Sequence, residues 1–122
     1  MLGLVLCSQS VVLHNRRKTF DKLTVSVDFA DTLELVLIGL HAQPDTAVEE
    51  MEALVDVHAA VEQEWNTDDI LILGDVNADC TYATATELAG LTLRTDTRFT
   101  WLIGDDVDTT TTSTDCAYDR CV

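Results

Sequence analysis

Between Leu23 and Phe29 the chain alternates, with Leu23, Val25, Val27 and Phe29 on one side and Thr24, Ser26 and Asp28 on the other. A period of two predicts a half-buried strand. Leu35-Val36-Leu37-Ile38-Gly39-Leu40 is continuously apolar and short instead, the pattern of a strand inside a layered sheet. Pro44 and Asp45 break it, and a helix is predicted from there. Asp45 is its expected N-cap, and Glu49, Glu50 and Glu52 put negative charge near the positive end of the helix dipole. Ala47, Met51, Leu54, His58, Val61 and Trp65 recur at alternating spacings of four and three, which makes one mostly apolar stripe. Asn66 to Asp69 ends the helix, and Ile70-Leu71-Ile72-Leu73 predicts a second buried strand. Further on, Thr84–Leu88 reads as a helical turn, Leu91–Arg94 and Phe99–Ile103 as short strands, and Asp105–Asp115 as a polar loop. Strand, helix and strand in this order predict an α/β layered domain.

At 122 residues this is one domain at most. Residues 1–19 carry no persuasive pattern and read as a divergent N-terminal segment, open to disorder; residues 20–122 carry the domain. Met1 to Leu6 is apolar but short, and no basic residue precedes it, so a start placed inside a longer coding sequence is expected rather than a secretory signal. No run approaches the length of a membrane helix. The net charge is −15, from 22 acidic against 7 basic side chains, and no basic stripe stands out. Such a chain repels polyanions on average. If it handles phosphodiesters, metal ions must mask the carboxylates near the substrate.

Two buried strands end abruptly in polar groups. His41 follows Leu35–Leu40, and Asp75 with Asn77 follows Ile70–Leu73. Adjacent strands would deliver these groups to one sheet edge, where loops build a site on a rigid base. With strand geometry maintained through Asp75-Val76-Asn77, both polar side chains point the same way. A carboxylate beside a carboxamide suits a hard cation with an anionic substrate: Asp75 for metal or water, the Asn77 amide for a phosphate oxygen. The alternative is an Asx-rich turn that merely closes a strand. Asp108, Thr110, Thr112 and Thr114 also alternate, so one face of an extended loop offers the oxygen ligands that calcium prefers. A solvated threonine-rich loop is the other reading.

Leu40-His41-Ala42-Gln43-Pro44, Gly74-Asp75-Val76-Asn77-Ala78-Asp79-Cys80 and Cys116-Ala117-Tyr118-Asp119-Arg120 resemble three signature segments of the deoxyribonuclease I family, in order and at similar spacings. Trp101-Leu102-Ile103 and the threonine loop resemble it too. The Gly-Asp-x-Asn element alone indicates only the wider endonuclease/exonuclease/phosphatase superfamily. The resemblance implies part of a layered α/β/β/α sandwich with mixed β-sheets, an α/β (α+β) fold incomplete in this chain. It implies a hydrolase, a divalent-metal-dependent endodeoxyribonuclease using Mg2+ and Ca2+, with Mn2+ as an alternative, on DNA as substrate. His41 would be the general acid, Asp75 a metal-site or water-orienting carboxylate, Asn77 the amide on the scissile phosphate, and Asp119 the carboxylate that orients a second histidine. Histidine as a residue type titrates near neutrality, which suits proton donation to a leaving oxygen. Tyr82, Ser113, Thr114 and Tyr118 match positions that touch the DNA backbone. Asp108, Thr110, Thr112 and Thr114 match a structural calcium site, and Cys80 with Cys116 a structural disulfide, which implies an oxidising, secretory or extracellular setting and no membrane.

Departures from the pattern shape the remaining expectations. Val76 stands where phenylalanine is usual. Cys7 and Cys121 are left over, and Cys121 is expected to be a buried free thiol. His58 occupies a stripe position where the family tends to have tyrosine, so packing is its expected role, and His14 has none. The family's metal-binding glutamates come from its N-terminal half, where Glu34 is the only candidate here, and its second catalytic histidine would follow Val122. The isolated chain is therefore expected to fold poorly, with core faces exposed, and to hydrolyse DNA weakly or not at all. Two other readings stand beside the nuclease: a phosphodiesterase acting on another phosphate ester, and a truncated non-catalytic relative that keeps calcium binding and the disulfide. No protein partner is legible.

Overall fold

The computed structural model describes residues 36–122 with their side chains, and before them the strand backbone of residues 4–6, 13–15, 18–28 and 32–35. Phe29, Cys7 and the side chains of His14 and Glu34 lie outside the described residues. Strands β1 (Leu4–Leu6), β2 (Leu13–Asn15), β3 (Lys18–Asp28), β4 (Thr32–Gly39), β5 (Ile70–Asp75) and β6 (Asp119–Cys121) form one mixed sheet in the order β1-β3-β4-β5-β6, with β2 paired to β3. Only β4 and β5 run parallel among these pairs. A parallel pair needs a long crossover. Helix α1 (Ala47–Trp65) supplies it, entered through a short 3-10 turn at Pro44–Thr46.

The α1 stripe is buried as its periodicity predicts: Met51 and Leu54 are 1% exposed, and Ala47 and Val61 are also buried, against Val36, Ile38 and Ile72 of the sheet. Asp45 is not the N-cap. It lies inside the 3-10 turn, and Thr46 holds the cap position without a side-chain cap bond. Glu50 takes over the helix entrance instead, accepting from the Thr46 hydroxyl at 2.7 Å and from the Gln43 N–H at 3.4 Å. Asn66 closes the helix in the left-handed conformation, a role asparagine tolerates.

Burial along β4 and β5 alternates although their sequence does not. Val36, Ile38 and Ile72 face the helices and are buried, whereas Leu37, Leu71 and Leu73 on the other face are only half-buried. One sheet covered by helices on one side is the incomplete half of a sandwich. Residues 91–94 do not form a strand. Thr92–Thr95 is the helical turn α3, packed after α2 (Ala85–Gly90), whose Thr84 and Glu87 make a reciprocal capping box. The Thr92 N–H and hydroxyl both donate to Glu52 of α1. Leu91-Thr92-Leu93-Arg94 is too short to distinguish helix from strand by period, so the tertiary contact decides. Phe99–Ile103 is irregular as well. Its Leu102 N–H donates to the Cys121 carbonyl at 2.8 Å, and the Trp101 indole donates to the Leu93 carbonyl at 2.8 Å, bonds that hold a loop without extending a ladder. The loop at 105–115 is a loop, as expected.

Candidate active site

Parallel pairing of β4 with β5 brings both polar strand ends to one edge. The backbone pairing continues past the strands, with Leu40 N–H on the Leu73 carbonyl at 3.0 Å and Ala42 N–H on the Asp75 carbonyl at 2.9 Å. This sets His41 Nε2 3.7 Å from Asp75 Oδ2, and the two side chains are 78% and 41% exposed. On the other flank, antiparallel β6 places Asp119 directly opposite Asp75. Residues paired this way project from the same sheet face.

Asn77 departs from the expected geometry. The strand stops at Asp75, and Asn77 has a φ of 49°, so the two side chains do not point in parallel as in an unbroken strand. Asp75 Oδ1 accepts the Asn77 N–H at 3.2 Å, which is an Asx turn, and the buried Asn77 Nδ2 donates to the Ala42 carbonyl at 2.8 Å. The Asx-turn reading describes this geometry. A turn closes the strand, and that turn ties the carboxylate of β5 to the backbone just after His41.

Tyr82 and Tyr118 meet with ring centroids 5.6 Å apart. Partial burial, the neighbouring Tyr82 and the Asp79 and Asp75 carboxylates all push the Tyr118 phenol up, so it stays a neutral donor. Cys80 and Cys116 are disulfide-bonded with their Cα atoms 6.0 Å apart. A bridge spanning a sequence separation of 36 restricts the unfolded chain by roughly 3–4 kcal/mol. Cys121 is free but half-buried, not buried, because it shares the open sheet face with Leu73.

The threonine loop is closed on itself. Asp108 Oδ1 accepts from the Thr110 N–H at 2.9 Å, the Thr110 hydroxyl at 2.6 Å and the Cys116 N–H at 3.3 Å. These donors, the Thr110 hydroxyl foremost, hold the Asp108 carboxyl below the usual carboxylate range. The Thr110 hydroxyl also reaches the Thr114 carbonyl, and the Thr112 and Thr114 hydroxyls lie 2.7 Å apart. Asp108, Thr110, Thr112 and Thr114 are therefore gathered in one place. Thr109 joins the loop to β6 by accepting the Asp119 N–H at 3.1 Å. Ser113 is exposed at the tip.

Sequence reasoning passed over three residues that hold this edge together. Gly74 lets β5 pass against Leu40, Asp79 bonds two backbone N–H groups, and Arg120 is 2% exposed while donating to the Ala78 carbonyl at 2.9 Å and the Ile103 carbonyl at 3.0 Å. All three lie within the quoted motifs, but nothing in a motif separates a residue that supports from one that reacts. Arg94, Arg98 and Arg120, the basic side chains among the described residues, are each paired with Asp105 or Asp96. None is left to draw in an anion. Among the described residues no cluster of three His, Cys, Asp or Glu side chains forms a ready-made metal cage, and no helix is long and apolar enough to cross a membrane.

His58 packs as expected, edge-on to Phe99 at 4.9 Å, with Nδ1 buried, lacking a hydrogen bond and 3.9 Å from Glu62. Burial lowers its pKa below the ordinary value, against the partial opposing pull of Glu62. The folded state thus binds the proton less readily than the unfolded chain. Stability from this site is complete above the ordinary histidine pKa and declines as pH falls from there towards the lowered value. His58→Tyr is expected to flatten the decline in Tm between pH 7 and 5, followed by thermal unfolding at stepped pH.

No family model matches the chain. Among curated proteins, mouse deoxyribonuclease-1-like 2 is 54% identical over 97 residues, covering 80% of this chain and 35% of the relative. Bovine deoxyribonuclease-1 is 47% identical over 89 residues, covering 73% and 32%. Human deoxyribonuclease-1-like 2 is 54% identical over 88 residues, covering 72% and 29%. The chain spans about a third of the length of these relatives. Over the stretch they share, this chain is a relative of the deoxyribonuclease I family.

Proposed function

We propose that this edge is one wall of a divalent-metal-dependent endodeoxyribonuclease site, with DNA as its substrate. The observation that carries the reading is the meeting of His41 and Asp75 at 3.7 Å, with Asp119 paired opposite Asp75, in a chain whose relatives are named deoxyribonucleases. The His41 side chain is 78% exposed, so its Nε2 can approach a leaving 3′ oxygen, to which it would give its proton. Asp75 would hold a cation or orient water, and Asp119 would steady a further base. Asn77 would offer its second amide hydrogen to a phosphate oxygen, since one already holds Ala42. Tyr82, Tyr118, Ser113 and Thr114 would grip the backbone on either side.

The donor sets fit hard cations. Mg2+ is commonly held by only one or two carboxylates, with water and phosphate completing the shell. Asp75 suits that role, and Mn2+ would substitute. The bound cation would neutralise phosphate charge, which matters where every described arginine is already paired. Asp108, Thr110, Thr112 and Thr114 offer an all-oxygen set for a structural Ca2+. The disulfide favours an oxidising, secretory or extracellular setting.

The test is nicking of supercoiled plasmid with Mg2+ and Ca2+. Slow nicking is expected that stops with EDTA and falls about 100-fold in His41→Ala. Nicking unchanged in that variant removes His41 from the mechanism and overturns the reading. The second reading is a non-catalytic relative that keeps calcium binding and the disulfide, favoured by the self-bonded threonine loop and the Cys80–Cys116 bridge. No nicking, with Ca2+ still raising Tm, would select it.

A further inference from the structure

Asp79 is half-buried between the two segments that the disulfide joins. Its Oδ1 accepts the Cys80 N–H and its Oδ2 the Ala117 N–H, each at 2.7 Å. Its own carbonyl accepts the Tyr82 N–H at 3.2 Å and the Ala83 N–H at 3.3 Å, starting the turn that seats the Tyr82 ring. Cys80 has a φ of 55°, a conformation that a non-glycine residue adopts only when its surroundings hold it there. Ala117 lies between Cys116 and Tyr118, so a fixed Ala117 N–H also fixes the bridge on one side and the ring-bearing residue on the other. Tyr118 in turn presents its carbonyl to the Val76 N–H at 3.1 Å, the contact that precedes the Asp75–Asp119 pair.

We propose that Asp79 is a positioning residue. By holding the Cys80 and Ala117 amides it preorganises the Cys80–Cys116 bridge and sets Tyr118 and Asp119 in register with Asp75. It touches no reacting atom in this role. The proposal holds whatever the substrate proves to be, so it stands or falls apart from the nuclease reading.

Two thiols held together by a carboxylate that spans their segments have a higher effective concentration than two thiols in a loosened loop. By linkage, the disulfide must then be more stable when Asp79 is present. Asp79→Asn keeps the shape but turns one acceptor into a donor facing an N–H. Equilibration of the full chain with reduced and oxidised glutathione is expected to shift about tenfold towards the thiols in this variant, the effect of losing one charge-assisted hydrogen bond. Asp115→Asn removes the same charge beside Cys116, from an exposed side chain, and is expected to shift it less than threefold. Equal shifts in the two variants would reduce the effect to charge and overturn the proposal. Amide exchange of the oxidised wild-type chain gives a reading that needs no variant to fold. The Ala117 N–H is expected to be protected, and to exchange at least tenfold faster in oxidised D79N. Fast exchange in the wild type, or unchanged protection in the variant, would overturn it as well.

Discussion

Gly74→Ala is expected to lower the unfolding free energy by about 3–5 kcal/mol, from backbone strain plus a clash that the core cannot absorb. Gly74 has a φ of +141°, which L side chains rarely adopt, and a Cβ there would lie 2.0 Å from the Leu40 carbonyl oxygen. The obstacle is backbone, so no rotamer change relieves it. Leu40 would have to retreat from β5, breaking its bond to the Leu73 carbonyl and drawing His41 away from Asp75. The urea midpoint should fall sharply in G74A. Gly90 is the control, because nothing lies within 4 Å of a Cβ placed there. G90A should change stability by less than about 1 kcal/mol. A G74A midpoint equal to that of G90A would show that the strand ends are not packed as described.

Arg120→Met is expected to cost about 3 kcal/mol. The guanidinium donates to the Ala78 and Ile103 carbonyls and pairs with Asp105 at 2.9 Å, with its centre 5.5 Å from the Trp101 ring centroid. Its burial pulls the pKa below the ordinary arginine value, with Asp105 opposing. Two effects compete in the substitution. Methionine fills much of the space without a buried charge, which helps, but leaves the Ala78 and Ile103 carbonyls without these donors, which hurts more. Asp105 is 58% exposed at its side chain and also contacts Arg94, so water and Arg94 compensate it, and its loss of a partner adds little. Arg120→Lys should recover only part of the loss, because one ammonium cannot span the same two carbonyls and a carboxylate in a planar fork. Urea unfolding of both variants checks the order. Amide exchange around Ala78 should quicken in R120M, linking stability to the loop that carries Asn77.

Much of the scaffold was legible because burial on one face leaves a period. The α1 stripe from Ala47 to Trp65, the two apolar strands and the 105–115 loop all follow from local pattern. Where a segment is too short to carry a period, the reading failed. Thr92–Thr95 is helical because Glu52 holds its entrance, and 99–103 is irregular because Trp101 and Leu102 bond to distant carbonyls. Asp45 gave way as helix cap for a similar reason: Glu50 reaches back across the 3-10 turn.

For the candidate site the division is similar. Asp119 is picked out only by the family resemblance, whereas the residue types at 41, 75 and 77 and their places after apolar strands can be read from the chain alone, since an apolar run that stops at a polar group marks a sheet edge. Their convergence cannot. It depends on parallel pairing of β4 with β5 and antiparallel pairing of β6, long-range hydrogen bonds that leave no mark on neighbouring residues. The left-handed turn at Asn77, the close passage at Gly74 and the burial of Arg120 are likewise products of packing. Local sequence determined which groups this protein can offer to a ligand, because side-chain chemistry and periodicity are local properties. Only the tertiary structure decided which groups meet and which merely support them, because contacts between distant segments are set by the whole fold.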